Sequence, residues 1–335
     1  MPWRCSVLNC PFLDMDFVKN IIGQELKIFE TKFSEAVKSN TSTRLDLIMR
    51  YIIKRKGKQL RPMFVLLSAK LHGDVNESTY RAAALVELLH TATLVHDDVV
   101  DESFERRGFF SINAIWKNKI AVLVGDYLLS KGLLLSTSNN DFEHLHILSE
   151  AVKQMSEGEL LQMEKSRTLN LDEAIYFEII RNKTASLLSS ACAVGAYSTT
   201  KDKAVADKMK MFGEKVGIAF QIKDDLFDYG NADIGKPTGN DIKEKKLTLP
   251  LIHTLNKIDK KTRREVIYIL KNQNKQKDKV QHVIDIVSRA GGIQYTEEKM
   301  FQYRDEALLI LRSFPESPVR NSLEELVRFT TDRKY

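Results

Sequence analysis

Two segments gather carboxylates at the ends of apolar runs. In "LVHDDVVDESFERRG", residues 94–108, Asp97 and Asp101 stand four apart, with Asp98 beside the first. On a helix this spacing puts Asp97 and Asp101 on one face, one turn or about 5.4 Å apart along the axis. Unpaired carboxylates so placed repel each other, and burial sharpens the repulsion. A hard divalent cation resolves the conflict, because Mg²⁺ takes oxygen from one or two carboxylates together with substrate phosphates. "FQIKDDLFDYG", residues 220–230, repeats the device with Asp224, Asp225 and Asp228, and Gln221 lies one turn upstream. One acidic helix end is ordinarily a solvated surface feature. Two of them, each preceded by apolar helix and followed by basic residues, are harder to explain that way. Facing each other across a cavity, they could hold several Mg²⁺ ions and a polyphosphate.

The basic residues suit that reading. "GKQLRP" brings Lys58 and Arg61 onto a loop entering a helix, Arg106 and Arg107 follow the first acidic segment, and Lys183 and Thr184 stand mid-helix in apolar company. Lys236, Lys243, Lys245 and Lys246 follow the second. Arginine suits phosphate through its planar fork and lysine as a point charge. Singly, each reads as a surface cation; together they suffice for two separate anions, one bound to metal and one held directly. His90, seven residues before Asp97, falls on the same helical face, whereas His96 points about 100° away and reads as a packing histidine. No Walker loop, GxGxxG fingerprint, HExxH or CxxC pair occurs.

The elements that must position these groups read as helices. Apolar residues recur at three and four in "DFVKNIIGQELKIFETKFSEAV", in "TYRAAALVELLHTATLVHDDVVDE" with Ser78 or Thr79 as its N-cap, and in the stretches that follow. No segment alternates as a strand. The breaks, such as "LHGDVNES", "RRGFFS" and "YGNADIGKPTGND", are too short for interdomain linkers. The fold expected is a single all-α domain, residues 15–335, a bundle of ten or more helices around a central apolar cavity. Residues 1–14 read as a disordered extension.

Bulk properties exclude other classes. Hydrophobic residues make up 43% and charged residues 29%, which fits a globular chain and not a disordered one. No apolar run reaches the roughly 18 residues of a membrane span. The net charge of +6 reads as spread along the chain, and its densest basic stretch, "KNQNKQKDK", reads as a solvated loop and not a nucleic-acid contact. The three cysteines, Cys5, Cys10 and Cys192, are too scattered for a disulfide framework or a zinc site, so a reducing, cytoplasmic setting is expected.

With "DDVVD" followed by "RRG", "DDLFD" followed by "GKPTGNDIKEKKLTLP", "GKQLRP" upstream and "KT" between them, the sequence resembles the trans-prenyltransferases, the all-E isoprenyl diphosphate synthases. The likeness covers residues 17–335, and "HTATLVHDDVVDES" and "AVLVGDYLL" look most like the long-chain octaprenyl and solanesyl members. It implies the isoprenoid synthase fold, a homodimer, and two or three Mg²⁺ ions held by Asp97, Asp101 and Asp224. It implies that Arg106, Lys183, Thr184, Gln221, Lys236 and Lys246 hold an allylic diphosphate, and that Lys58, Arg61, His90 and Arg107 hold isopentenyl diphosphate. It further implies a long product, because Ala92 and Thr93 are small where short-chain relatives carry aromatics. Leu89 and Val86 would line the tunnel deeper, and transient membrane association would release the product, destined for a quinone side chain. A geranylgeranyl synthase, a class I terpene cyclase and a non-catalytic subunit of a heteromeric synthase are the alternatives. The acidic second motif speaks against the cyclase, and intact acids speak against the non-catalytic subunit.

Overall fold

The computed structural model describes residues 16–39, 42–55, 57–106, 108–168, 172–230 and 239–332. The proposed extension at 1–14 lies outside them. Among the described residues the chain forms sixteen α-helices, one π-helical turn and a two-stranded hairpin. The pairing of Glu105 with Phe110 and of Arg106 with Phe109 makes that hairpin, β1 (Glu105–Arg106) and β2 (Phe109–Phe110). Two-residue strands carry no readable alternation, which is why the sequence shows none.

Four helices form the frame of the site: α3 (Leu60–Lys70), α4 (Glu77–Val100), α9 (Ser186–Thr200) and α10 (Lys203–Phe227). In α9 every residue from Ser186 to Ala196 is buried, and it packs on α3, α4, α10 and α7 (Phe142–Thr168). A helix apolar all round belongs at the centre. Helix α10 joins two cores. Met209, Phe212 and Val216 belong to the N-terminal core, while Ile218, Ala219, Ile222 and Leu226 belong to the C-terminal one. The second acidic segment therefore emerges at the seam.

Helix α4 starts earlier than the sequence suggests. Its N-cap is Asn76, not Ser78 or Thr79: the Asn76 side chain accepts from the Thr79 amide at 3.1 Å, and the Asn76 amide donates back to Thr79 Oγ1 at 3.3 Å. Thr79 thus completes a capping box from the third helical position. The helix ends at Val100 with Asp101 as C-cap, and the chain reverses into the hairpin through Gly108 at φ +76°.

Helix α6 (Asn118–Thr137) corrects a second expectation. It is long and apolar enough to cross a membrane by length and composition, with mean hydropathy 1.4, although only 33% of that window is buried in the chain. Val122, Leu123, Leu133 and Leu134 are all exposed on one side of it.

Close helix packing depends on small residues. A Cβ on Gly217 of α10 would lie 2.6 Å from Ala185 Cα and 2.7 Å from its Cβ. Backbone there cannot yield as a flexible side-chain tip can. Gly217→Val should therefore cost about 3 kcal/mol or more through overpacking. A thermal melt should show a midpoint lowered by several degrees, and an unchanged midpoint would mean that α10 shifts at no cost.

Candidate active site

Two cavities flank the acidic ends of α4 and α10. The first, about 480 Å³, lies between the end of α2 (Thr43–Lys54), the start of α3, one face of α4 and the hairpin. Lys58, Arg61 and His90 all line it, joined by Asp98 and Arg106. Arg61 Nη1 lies 2.8 Å from His90 Nε2. Guanidinium cannot accept, so that imidazole nitrogen accepts and is unprotonated. Arg106 donates through Nε to Asp98 Oδ1 at 2.7 Å. Burial pushes the Asp98 carboxyl above its ordinary range, and the Arg106 contact only partly offsets this. Asn113 clamps the same turn, donating to the Asp98 carbonyl at 3.0 Å. Sequence reasoning grouped Arg106 with the allylic cations; its side chain lies in the cavity of Lys58 and Arg61. Arg55, which sequence reasoning missed, stands in the same wall, stacked 3.6 Å from the Tyr51 ring centroid and 4.3 Å from that of Phe109. Its only signal was a place in "KRKGKQLRP".

The second cavity, about 260 Å³, holds Lys183, Thr184, Gln221, Asp224, Asp225, Asp241 and Lys246. Lys183 and Thr184 sit in the π-helical turn Arg181–Ala185, which interrupts the run from α8 (Glu173–Ile180) to α9. Single π-turns commonly mark functional positions. Gly158 of α7 makes room for the widened turn, since a Cβ there would lie 2.8 Å from the Lys183 backbone nitrogen. Lys183 pairs with Glu159 and donates to Gln162 at 3.3 Å.

The three acids of the second motif differ in surroundings. Asp225 accepts from Tyr176 Oη at 2.7 Å and from Gln221 Nε2 at 2.9 Å, while Gln221 Oε1 accepts from Thr184 at 2.8 Å. Burial, with Asp241 nearby, pushes the Asp225 carboxyl up to about 7. Asp228 accepts from the backbone amides of Asn240 at 2.7 Å and Asp241 at 2.9 Å, which ties the returning loop to the end of α10. Asp224 lines the cavity. Asp241, in the short helix α11 (Asn240–Lys243), was missed in the sequence; burial and Asp228 push it to about 6. An acid after Gly239 in a lysine-rich loop was the available signal.

The two acidic segments share an electrostatic neighbourhood. Burial and then Glu159 raise Asp97, with Lys183 of the second cavity opposing. Lys246 is raised through Glu244 and Asp241, with Asp101 of the first segment adding to them, although burial opposes the shift. Lys183 and Lys246 line the second cavity with Asp224 and also lie within electrostatic reach of the first segment's acids. Among the described residues no three His, Cys, Asp or Glu side chains converge as a preformed metal cage. Arg107 and Lys236 lie outside the described residues. Ala92 and Val86 are fully buried and Leu89 is nearly so, packed in the N-terminal core, and Thr93 is half-buried. None of these four lines either cavity. His96 packs against α6, its Nε2 lying 3.2 Å from the Val122 carbonyl.

Residues 42–287 match the polyprenyl synthetase family. The octaprenyl diphosphate synthase of Escherichia coli (strain K12) is 31% identical over 96% of this chain and 99% of its own. Among solved structures, the polyprenyl synthase of Caulobacter crescentus CB15, complexed with calcium and isoprenyl diphosphate, superposes with a TM-score of 0.88. It is 32% identical, covering 96% of this chain and 98% of that one. A geranylgeranyl pyrophosphate synthase from Bacteroides thetaiotaomicron superposes with a TM-score of 0.81 at 35% identity, covering 95% and 99%. Two cation-lined cavities, one beside each acidic helix end, in a helical frame shared with these proteins over nearly its whole length, lead to one conclusion. The chain belongs to the polyprenyl synthetase family and is a prenyltransferase that lengthens trans-prenyl diphosphates.

Proposed function

We propose that the chain condenses isopentenyl diphosphate repeatedly onto an allylic diphosphate, with farnesyl diphosphate as primer, to give a long all-trans product around the octaprenyl class for a quinone side chain. The observation that carries the length is the pair Ala92 and Thr93, five and four residues before Asp97. At 1.5 Å per residue they lie about 6 to 7.5 Å deeper along α4. Small side chains there set no aromatic floor beneath an allylic tail anchored at the acids, and Leu89 and Val86 follow one to two turns deeper. Because Ala92, Leu89 and Val86 are packed in the N-terminal core and line neither cavity, a tail passing them must displace that packing. Relatives of similar identity include both long-chain and geranylgeranyl synthases, so the shorter product is the second reading.

In this reading Lys183 and Lys246, with Thr184 and Gln221 beside them, hold the allylic diphosphate as fixed charges and donors in the second cavity. Lys58, Arg61 and His90 hold isopentenyl diphosphate in the first, which brings its double bond to the allylic carbon. Asp97, Asp101 and Asp224 would hold Mg²⁺, two or three ions: Asp97 and Asp101 stand one turn apart at the end of α4, and Asp224 lines the second cavity, an all-carboxylate oxygen set of the kind a hard divalent cation takes. When bound, the metal neutralises charge developing on the leaving diphosphate. The side chains lining the cavities keep water from the allylic cation. Among the described residues no side chain is an evident base, so in this reading the departing diphosphate takes the proton. The exposed apolar side of α6 supports a homodimer.

The test is the purified chain with isopentenyl and farnesyl diphosphates, and chromatography of dephosphorylated products. Wild type should give a long product. Ala92→Phe should truncate it while the first condensations continue. A folded Ala92→Phe enzyme with an unchanged long product, or a wild type that stops at geranylgeranyl diphosphate, would overturn the long-chain reading.

A further inference from the structure

The net charge is not spread along the chain as the composition suggested. The chain carries 51 Lys and Arg against 45 Asp and Glu, an excess of six. Residues 257–279 alone hold nine Lys and Arg against three Asp and Glu, the same excess, so the remainder of the chain balances. The segment comprises the end of α12 (Leu249–Lys257), α13 (Lys260–Asn272) and the start of α14 (Lys277–Arg289).

Folding puts this charge on one face. Helix α13 buries Val266, Ile269 and Leu270 in the C-terminal core and exposes Lys261, Arg264, Tyr268 and Lys271 at helical spacing. Two of the three acids are engaged locally. Asp259 caps α13, accepting from the Lys261 and Thr262 amides at 2.8 and 3.1 Å, and Glu265 lies 3.0 Å from His282. Among the described residues none of the nine cations forms an ion pair within 4.0 Å, whereas surface cations elsewhere pair readily, as Lys153 does with Glu157 and Lys215 with Glu306. Tyr268, 57% exposed, puts an amphipathic ring amid the charge. The segment also touches the loop that carries part of the second cavity's lining. Lys245 donates to the Lys271 carbonyl at 3.2 Å, and Asn274 donates to the Lys243 carbonyl at 2.5 Å. Asp241 and Lys246, on either side of those contacts in sequence, line that cavity.

We propose that the α13 face docks on an anionic lipid surface, with Lys261, Arg264 and Lys271 as electrostatic contacts and Tyr268 seated at headgroup level. The purpose rests on the prenyl-elongating reading, because a water-insoluble product needs a lipid acceptor near the mouth from which it leaves. The observation does not rest on that reading, since the charge and its exposure stand without it. Cations near an anionic leaflet contribute about five-fold each to partitioning, fading within a Debye length.

Flotation of the full chain with phosphatidylglycerol–phosphatidylcholine vesicles at low salt tests the proposal. Wild type should float with these vesicles and not with pure phosphatidylcholine. The variant Lys261→Glu/Arg264→Glu/Lys271→Glu should lose on the order of a hundred-fold in partitioning. A control with equal charge change elsewhere, Lys27→Glu/Lys38→Glu/Lys153→Glu, should keep it. Prenyl elongation without vesicles should be the same in all three proteins, which separates failure of docking from failure of the enzymatic reading. Equal binding to both vesicle types, equal loss in the control, or no binding by wild type would overturn the proposal. So would a patch variant that loses only kcat/KM without vesicles, which would assign the charge to steering of diphosphates instead.

Discussion

Asp97→Ala should lose turnover by about 10² to 10³-fold while keeping its fold. The magnitude is that of removing one fixed stabiliser of transition-state charge, about 2.7 to 4 kcal/mol. Asp97 lies at the end of α4, where burial and Glu159 raise its carboxyl and Lys183 opposes them. A carboxylate raised by folding is held at a cost at neutral pH, so removing it should not lower the thermal midpoint. Asp98→Ala provides the contrast. Asp98 is likewise raised by burial, but it accepts from Arg106 at 2.7 Å, so its loss also strands that guanidinium; this outweighs the relief of the buried charge and should lower the midpoint. Steady-state kinetics at saturating Mg²⁺, with a melt of each variant, separate the two roles. Near-normal turnover in Asp97→Ala would remove the residue from the metal-binding set. Chelation should abolish wild-type activity reversibly.

The two cavities should be separable by kinetics. Lys58→Ala and Arg61→Ala should raise KM for isopentenyl diphosphate by about 10 to 100-fold, the span of a lost hydrogen bond to a charged group. Lys183→Ala should act mainly through the allylic substrate, because Lys183 shares the second cavity with Asp224 and Lys246. Arg106→Ala is the informative fourth variant. The sequence resemblance groups Arg106 with the allylic cations, whereas its side chain lines the first cavity beside Arg61. An effect on isopentenyl KM would assign Arg106 by geometry, and an effect on the allylic substrate would assign it by resemblance. Each substrate must be varied in turn, and equal effects on both substrates in all four variants would dissolve the two-site division.

The helical class, the paired acidic segments and most of the cations are legible in the chain's local patterns. Each is carried by local pattern: apolar residues at three and four, aspartates at four, and lysine or arginine beside glycine. The start of α4 was misread by two to three residues because Asn76 and Thr79 cap each other reciprocally, and either could head a helix by type alone. Which acids do what emerges from packing. Asp224, Asp225 and Asp228 are alike in sequence, yet Asp225 is enclosed by Tyr176 and Gln221, and Asp228 accepts two amides of a returning loop. Gln221, one turn before Asp225, follows from helical spacing, but Tyr176 comes from another helix and the two amides from a loop that folds back, and no spacing rule encodes those. The same holds for Gly158, whose value lies in the π-turn it faces on another helix, and for Arg106, whose cavity is set by the hairpin. Spacing along a helix fixes which groups share a face. What that face meets is set by the packing of distant apolar stripes, and that is where the division of labour among identical residues is made.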